Sequence, residues 1–206
     1  MATQINQAIT NYIKNSSSIV SSETQTKLWR QGCSWYDGGK RNECELFQRA
    51  YVEDITGQVC KKSDYRLNIL SNAMVEKKYP MKSIDGFEWT EDFDGFMPYK
   101  NNSFYFNFKM ICDAGGVQTR SLREVYHFVS IQLNYLNNHL RDEPNKNMPY
   151  FVNILDGDTS FKHMNKFQYL LNKEQYANIR KNVFIGDMAQ FQQDFWEPLA
   201  NKEPTI

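Results

Sequence analysis

Near the start of the chain apolar residues recur at three- and four-residue steps. Ile5, Ala8, Ile9, Tyr12 and Ile13 do so between Ala2 and about Ser16, the period of an amphipathic helix. A Ser-rich stretch from Asn15 to Glu23 predicts a loop. The Gly-containing segment Asp37 to Lys40 then leads into a second helix carried by Leu46, Phe47, Ala50, Tyr51 and Ile55, which should stop at Gly57. Asp64 is placed to cap a third helix running towards Lys77, with Pro80 beyond it. The period then changes. Gly86 to Trp89 and Ser103 to Cys112 read as two strands joined by the turn-like run Met97 to Asn102.

After Gly115 and Gly116 comes the longest helical pattern, with Leu122, Val125, Val129, Leu133, Leu136 and Leu140 at steps of three or four. Tyr150 to Leu155 and Val183 to Ile185 are short apolar runs ending in Asp156-Gly157 and Gly186, as buried strands do, with helical patterns between them and after the second. The order of helices, hairpin, helix, strand, helix, strand and helix predicts an α/β fold. Its mixed central sheet should be flanked by helices on both faces. With 206 residues, 41% of them apolar and 15% aromatic, the chain suffices for one domain spanning 1–206. That domain divides into a helical N-terminal part (about 1–80) and an α/β core (about 81–200).

The 24 basic and 24 acidic residues cancel, so a face for a polyanion would have to arise by local segregation of charge. No apolar run approaches a bilayer span and Met1 to Gln7 is polar, so the chain reads as soluble and intracellular. Cys33, Cys44, Cys60 and Cys112 lack the close spacing of a small zinc site and are read as reduced thiols. A zinc knuckle joining Cys33, Cys44 or Cys60 with a histidine stays open.

The chemistry concentrates on the hairpin. In Phe104 to Met110 the two-residue period sends Phe104, Phe106, Phe108 and Met110 to one face and Asn107 and Lys109 to the other. Upstream, Glu91, Asp92 and Asp94 end the preceding strand, and twelve residues separate Asp94 from Asn107. A short hairpin returns these acids to Lys109. Oxygen ligands for a hard cation beside a lysine suit phosphodiester hydrolysis, which needs an activated water and an offset for charge building in the transition state.

An acid, a hairpin and then an x-Lys pair resemble the PD-(D/E)xK nuclease superfamily. The Gly115-Gly116 entry to the polar helix start Gln118 to Tyr126, and the later strand Tyr150 to Asp158, are similar to type II restriction endonucleases. The likeness runs from about residue 86 to 188. It implies a restriction-endonuclease-like fold and Mg²⁺-dependent cleavage of double-stranded DNA at a short sequence by a homodimer. Asp94 would be the metal acid, with Asp92 as its rival, and Lys109 the lysine that orients or deprotonates water. Asn107 stands where the family has Asp or Glu. Glu124 on the next helix is the first substitute for the missing charge, and Glu45 or Glu53 on an early helix are others. Gln118, Thr119, Arg120 and Arg123 are placed to contact DNA, Gln118 and Arg120 through paired hydrogen bonds to adenine and guanine.

A catalytically weakened DNA-binding relative, or a repair or recombination nuclease, are the alternatives within this family. Plainer readings stand beside these. Arg120 and Glu124 could be a surface i, i+4 pair, and His127, His139 and His163 surface or packing residues. Leu155 to Ser160 is similar to the nucleophile loop of haloacid-dehalogenase-like phosphatases. Only 46 residues follow it, so Asp156 and Asp158 are read as a strand-end turn.

Overall fold

The computed structural model describes residues 25–38, 42–76, 89–112, 115–142 and 147–201. The helix expected over Ala2 to Ser16 and the strand residues Gly86 to Glu88 lie outside them. Helix α1 (Gln25–Gln31) precedes α2 (Glu43–Thr56), which ends at Gly57 in the left-handed conformation, as the sequence predicts. Trp35 stacks on Phe47 with ring centroids 4.4 Å apart, and Trp29 meets Phe47 edge-on, so an aromatic cluster fastens the α1 region to α2.

The helix predicted from Asp64 is replaced by a hairpin of β1 (Tyr65–Asn68) and β2 (Ala73–Glu76), so the N-terminal part is not wholly helical. Turn chemistry overrides the helix start expected at Asp64. The Asn68 side chain accepts from the backbone N–H groups of Leu70 and Ser71, and Asn72 adopts φ 54°. Strand β3 (Thr90–Asp92) pairs with β1, giving an antiparallel sheet of order β2-β1-β3.

The central sheet contains β4 (Gly95–Tyr99), β5 (Asn102–Met110), β6 (Tyr150–Asp156) and β7 (Val183–Gly186) in that order. β4 and β5 form an antiparallel hairpin turning at Lys100, whereas β5, β6 and β7 are parallel. The crossovers are α3 (Gly116–Asp142) and α4 (Asp158–Leu171). The chain ends in α5 (Met188–Gln190), a π-helical turn (Phe191–Trp196) and α6 (Glu197–Ala200). This is the predicted α/β class with a mixed sheet between helices. The hairpin differs, because β4 is the antiparallel partner of β5 and Met97 to Tyr99, expected in the turn, belong to that strand. Among the described residues no helix is long and apolar enough to cross a membrane.

Strict alternation on β5 and β6 builds two cores. Phe104, Phe106, Phe108, Val152 and Ile154 face Tyr51 and Val52 of α2 and Phe191 and Trp196 near the C-terminus. Tyr105, Phe151 and Leu155 face Leu122, Val125, Phe128 and Val129 of α3, with Phe167 and Leu170 of α4. Gly157 reverses the chain at the end of β6. Its φ is 106° and a Cβ there would collide with the Ile111 backbone, so both conformation and space require glycine.

Candidate functional site

The chain passes between the two sheets at consecutive residues. Phe93 N–H donates to Tyr65 of β1, whereas Asp94 N–H donates to Phe106 of β5. Phe93 is buried and stacks on Phe151, fixing the crossover. Asp92 and Asp94 therefore part company. Asp92 remains with the small sheet, its Oδ1 3.3 Å from Arg66 Nε, and does not line the cleft that Asp94 borders. Asp94 turns to β5, accepts from Phe108 N–H at 2.8 Å, and lies 3.8 Å from Lys109 Nζ.

Asp94 and Lys109 border a cleft of about 330 Å³ between the N-terminal half of α2, the start of β4 and the end of β5. Glu43, Glu45, Gln48 and Arg30 are among the other residues of its wall. Burial raises the Asp94 carboxyl above its ordinary pKa, opposed by the charge of Lys109. Glu45 is raised by burial and by Asp94, opposed by Arg49, Lys62 and Lys109. Arg49 pairs with Glu45 and donates to the Asp94 carbonyl at 2.9 Å, tying α2 to β4. Of the acids considered on early helices, Glu45 reaches the cleft. Glu53 instead accepts from Cys60 N–H at 2.8 Å.

Asn107 is a correction. It is 3% exposed, does not line the cleft, and donates its amide to Asn153 Oδ1 at 3.2 Å. Asn153 also exchanges hydrogen bonds with Gln132 of α3 and donates to the Phe184 carbonyl. This buried amide network joins β5, β6, β7 and α3 at the centre of the fold, and it accounts for the amide without a metal. Glu124 is likewise held elsewhere, by Arg120 at 2.9 Å on the exposed surface of α3. The plainer surface-pair reading of these two residues holds.

Thr119, Arg120 and Arg123 are exposed on the first turns of α3 and Gln118 is half-buried. Thr119 donates to the Gly115 carbonyl at 3.1 Å. His139 packs against the Tyr135 ring, and His127 is exposed.

Sequence reasoning missed Gln48. Leu46 and Ala50, expected on the apolar face of α2, are exposed; the buried side is Gln48, Tyr51, Val52 and Thr56. The Gln48 amide donates to the Lys109 carbonyl at 3.2 Å and to Asp156 Oδ2 at 2.6 Å. Asp156, expected as a turn residue, is fully enclosed at the end of β6. Its other oxygen accepts from Met188 N–H at 3.1 Å, and its carboxyl is pushed up to about 7 by burial and by Asp187. The only signal in the sequence is a polar residue recurring with Tyr51, Val52 and Thr56 at helical spacing.

Among the described residues, no three His, Cys, Asp or Glu side chains form a group that could hold a metal. Magnesium commonly keeps several waters and is held by one or two carboxylates plus substrate phosphates. Asp94 and Glu45, two carboxylates lining one cleft, fit that requirement. They do not fit a cation caged wholly by protein. No family model, curated protein or solved structure matches this chain.

Proposed function

We propose that this protein is a Mg²⁺-dependent endonuclease that hydrolyses double-stranded DNA at a short sequence, in the manner of a type II restriction enzyme and as a homodimer with a restriction-endonuclease-like fold. The observation that carries this reading is the 3.8 Å approach of Lys109 to Asp94 in a cleft to which α2 adds Glu45. When bound, Mg²⁺ supplies a Lewis acid for the scissile phosphate and lowers the pKa of water. Asp94 and Glu45 are the carboxylates that would hold it. Lys109, 43% exposed in its side chain, reaches solvent at the cleft mouth, where its ammonium offsets charge on a phosphate oxygen or orients the attacking water. The Phe108 N–H keeps one Asp94 oxygen directed along β5, and Gln48 steadies the main chain at Lys109.

The test is incubation of supercoiled plasmid with the protein, with and without Mg²⁺, alongside Lys109→Ala. Discrete limit fragments that need Mg²⁺ and Lys109 support the proposal. Intact plasmid under both Mg²⁺ and Mn²⁺ overturns it. A second reading, a DNA-binding relative with weakened chemistry, is favoured by one observation: among the described residues Asn107 is sequestered and no three acids are grouped so that they could hold a metal. That protein would bind DNA specifically and leave it whole.

A further inference from the structure

A second concavity lies between α3 and α4, with a volume of about 450 Å³, inside the roughly 300–1,000 Å³ span of ordinary ligand sites. Its floor is Leu122, Tyr126 and Phe167, the last two rings 5.9 Å apart, and Tyr169 stands at its rim with 71% of its surface exposed. Arg123 and Lys166 flank this floor, and no acid is among the described residues that line the groove. Neither cation is paired with an acid among the described residues. Helix α4 also carries Lys162, with Asp158 its only acid, so a chain with no net charge gathers positive charge here.

We infer that this groove binds an unpaired stretch of nucleic acid, its bases against Tyr169 and Tyr126 and its phosphates on Arg123 and Lys166. The inference rests on the nucleic-acid reading of the cleft and adds a distinct surface to it. Aromatic faces with flanking cations are the recurring means of holding single strands, because every base offers a π-face once it is unstacked. In a duplex those faces are covered by neighbouring bases, so duplex DNA would engage the cations and leave the aromatic floor unused. Arg123 opens on the groove from the first turns of α3, whereas none of the residues lining the cleft belongs to α3, so the groove and the cleft are separate surfaces.

The experiment is fluorescence anisotropy with a labelled mixed-sequence 12-nucleotide single strand and the matching duplex, in EDTA so that nothing is cut. The single strand should bind more tightly than the duplex. Tyr169→Ala should weaken single-strand binding about tenfold. Arg123→Ala should lower the slope of log affinity against log salt by about 0.7, one phosphate contact. Lys100→Ala, on the β4-β5 turn at the other end of β5, should change neither. Tyr169 and Arg123 are exposed, so circular dichroism should report an unaltered fold. Single-strand binding indifferent to Tyr169 and Arg123, preference for duplex, no binding, or an effect of Tyr169→Ala on oligomeric state alone would each overturn the inference. Plasmid cleavage is scored separately, so failure of this site and failure of the nuclease reading remain distinguishable.

Discussion

Gln48 and Asp156 stand 108 residues apart in sequence and meet at 2.6 Å, a direct link between α2 and the carboxyl end of the central sheet. The same amide nitrogen bonds the Lys109 carbonyl, so one buried side chain registers the helix bearing Glu45 against the strand bearing Lys109. Its own Oε1 is buried without a partner, which fixes the amide's orientation by the needs of Asp156 and Lys109.

Replacing Gln48 by leucine should therefore destabilise the protein by about 1–3 kcal/mol, since Asp156 Oδ2 and the Lys109 carbonyl lose a buried donor while the volume is kept. Urea unfolding measures this. Cleavage by the folded variant should fall as well, through kcat more than KM, because the main chain at Lys109 loses its tether to α2. A variant as stable as the parent would show that the amide contributes no net stability.

Asp156 predicts a pH dependence of opposite sign to that of ordinary surface carboxylates. Its pKa is raised to about 7 in the folded state, so between about pH 4 and 7 the folded protein holds a proton that the unfolded chain has released. Stability attributable to this group is complete below the unfolded pKa, falls as pH rises towards 7, and is level above it. The loss is at most about 4 kcal/mol. Asp156→Asn should remove that slope: its carbonyl can still accept from Met188, and its amide can donate to a flipped Gln48, giving the orphaned Oε1 a partner. Chemical denaturation at pH 4.5, 6 and 8 decides it. The variant should lose ground to the parent at pH 4.5 and regain it at pH 8.

How far the sequence reaches follows from these residues. Lys109 and Asp94 are legible because a two-residue period on β5 and a short return are local rules. Asp92 and Asp94 cannot be told apart by such rules, because their separation depends on Phe93 leaving one sheet as Asp94 joins another. Alternation does place Asn107 and Lys109 on one side of β5. Whether that side is wet or covered depends on where α3 crosses: Asn107 shares the buried Asn153 Oδ1 acceptor with Gln132 of α3, whereas the Lys109 side chain stays exposed. The β1-β2 hairpin is written in Asn68 and Asn72, both suited to turns, yet Asp64 as a helix cap and Pro80 beyond it point the other way. Gln48 stays hidden because polarity argues against burial until a buried partner is known.

Metal binding should be visible without any DNA. Mg²⁺ that binds only the folded state raises its stability by mass action, and protons compete for carboxyls whose pKa values are raised, as those of Asp94 and Glu45 are. The midpoint of thermal unfolding should rise with millimolar Mg²⁺ at pH 8 and less so at pH 5. Glu45→Gln and Asp94→Asn should each reduce that rise. Glu124→Gln should leave it intact, since Glu124 is held by Arg120 on the surface. Equal sensitivity to Glu124 would return that residue to the site.

Asn107→Asp separates the observed role of this residue from the one the nuclease resemblance suggests. If residue 107 reached the metal, restoring an acid would strengthen Mg²⁺ binding and cleavage. In this fold the new carboxylate would face Asn153 Oδ1, an acceptor, in a position 3% exposed. A buried charge without a donor costs roughly 2–3 kcal/mol at neutral pH, and the cost lessens in acid, where the protonated group can donate to Asn153. The variant should therefore be less stable than the parent at pH 8, approach it at pH 5, and cleave DNA no faster at either. Calorimetry over that range, with plasmid nicking measured on the same samples, compares the two roles directly, because only a ligand position would gain activity while losing nothing in stability once Mg²⁺ is added.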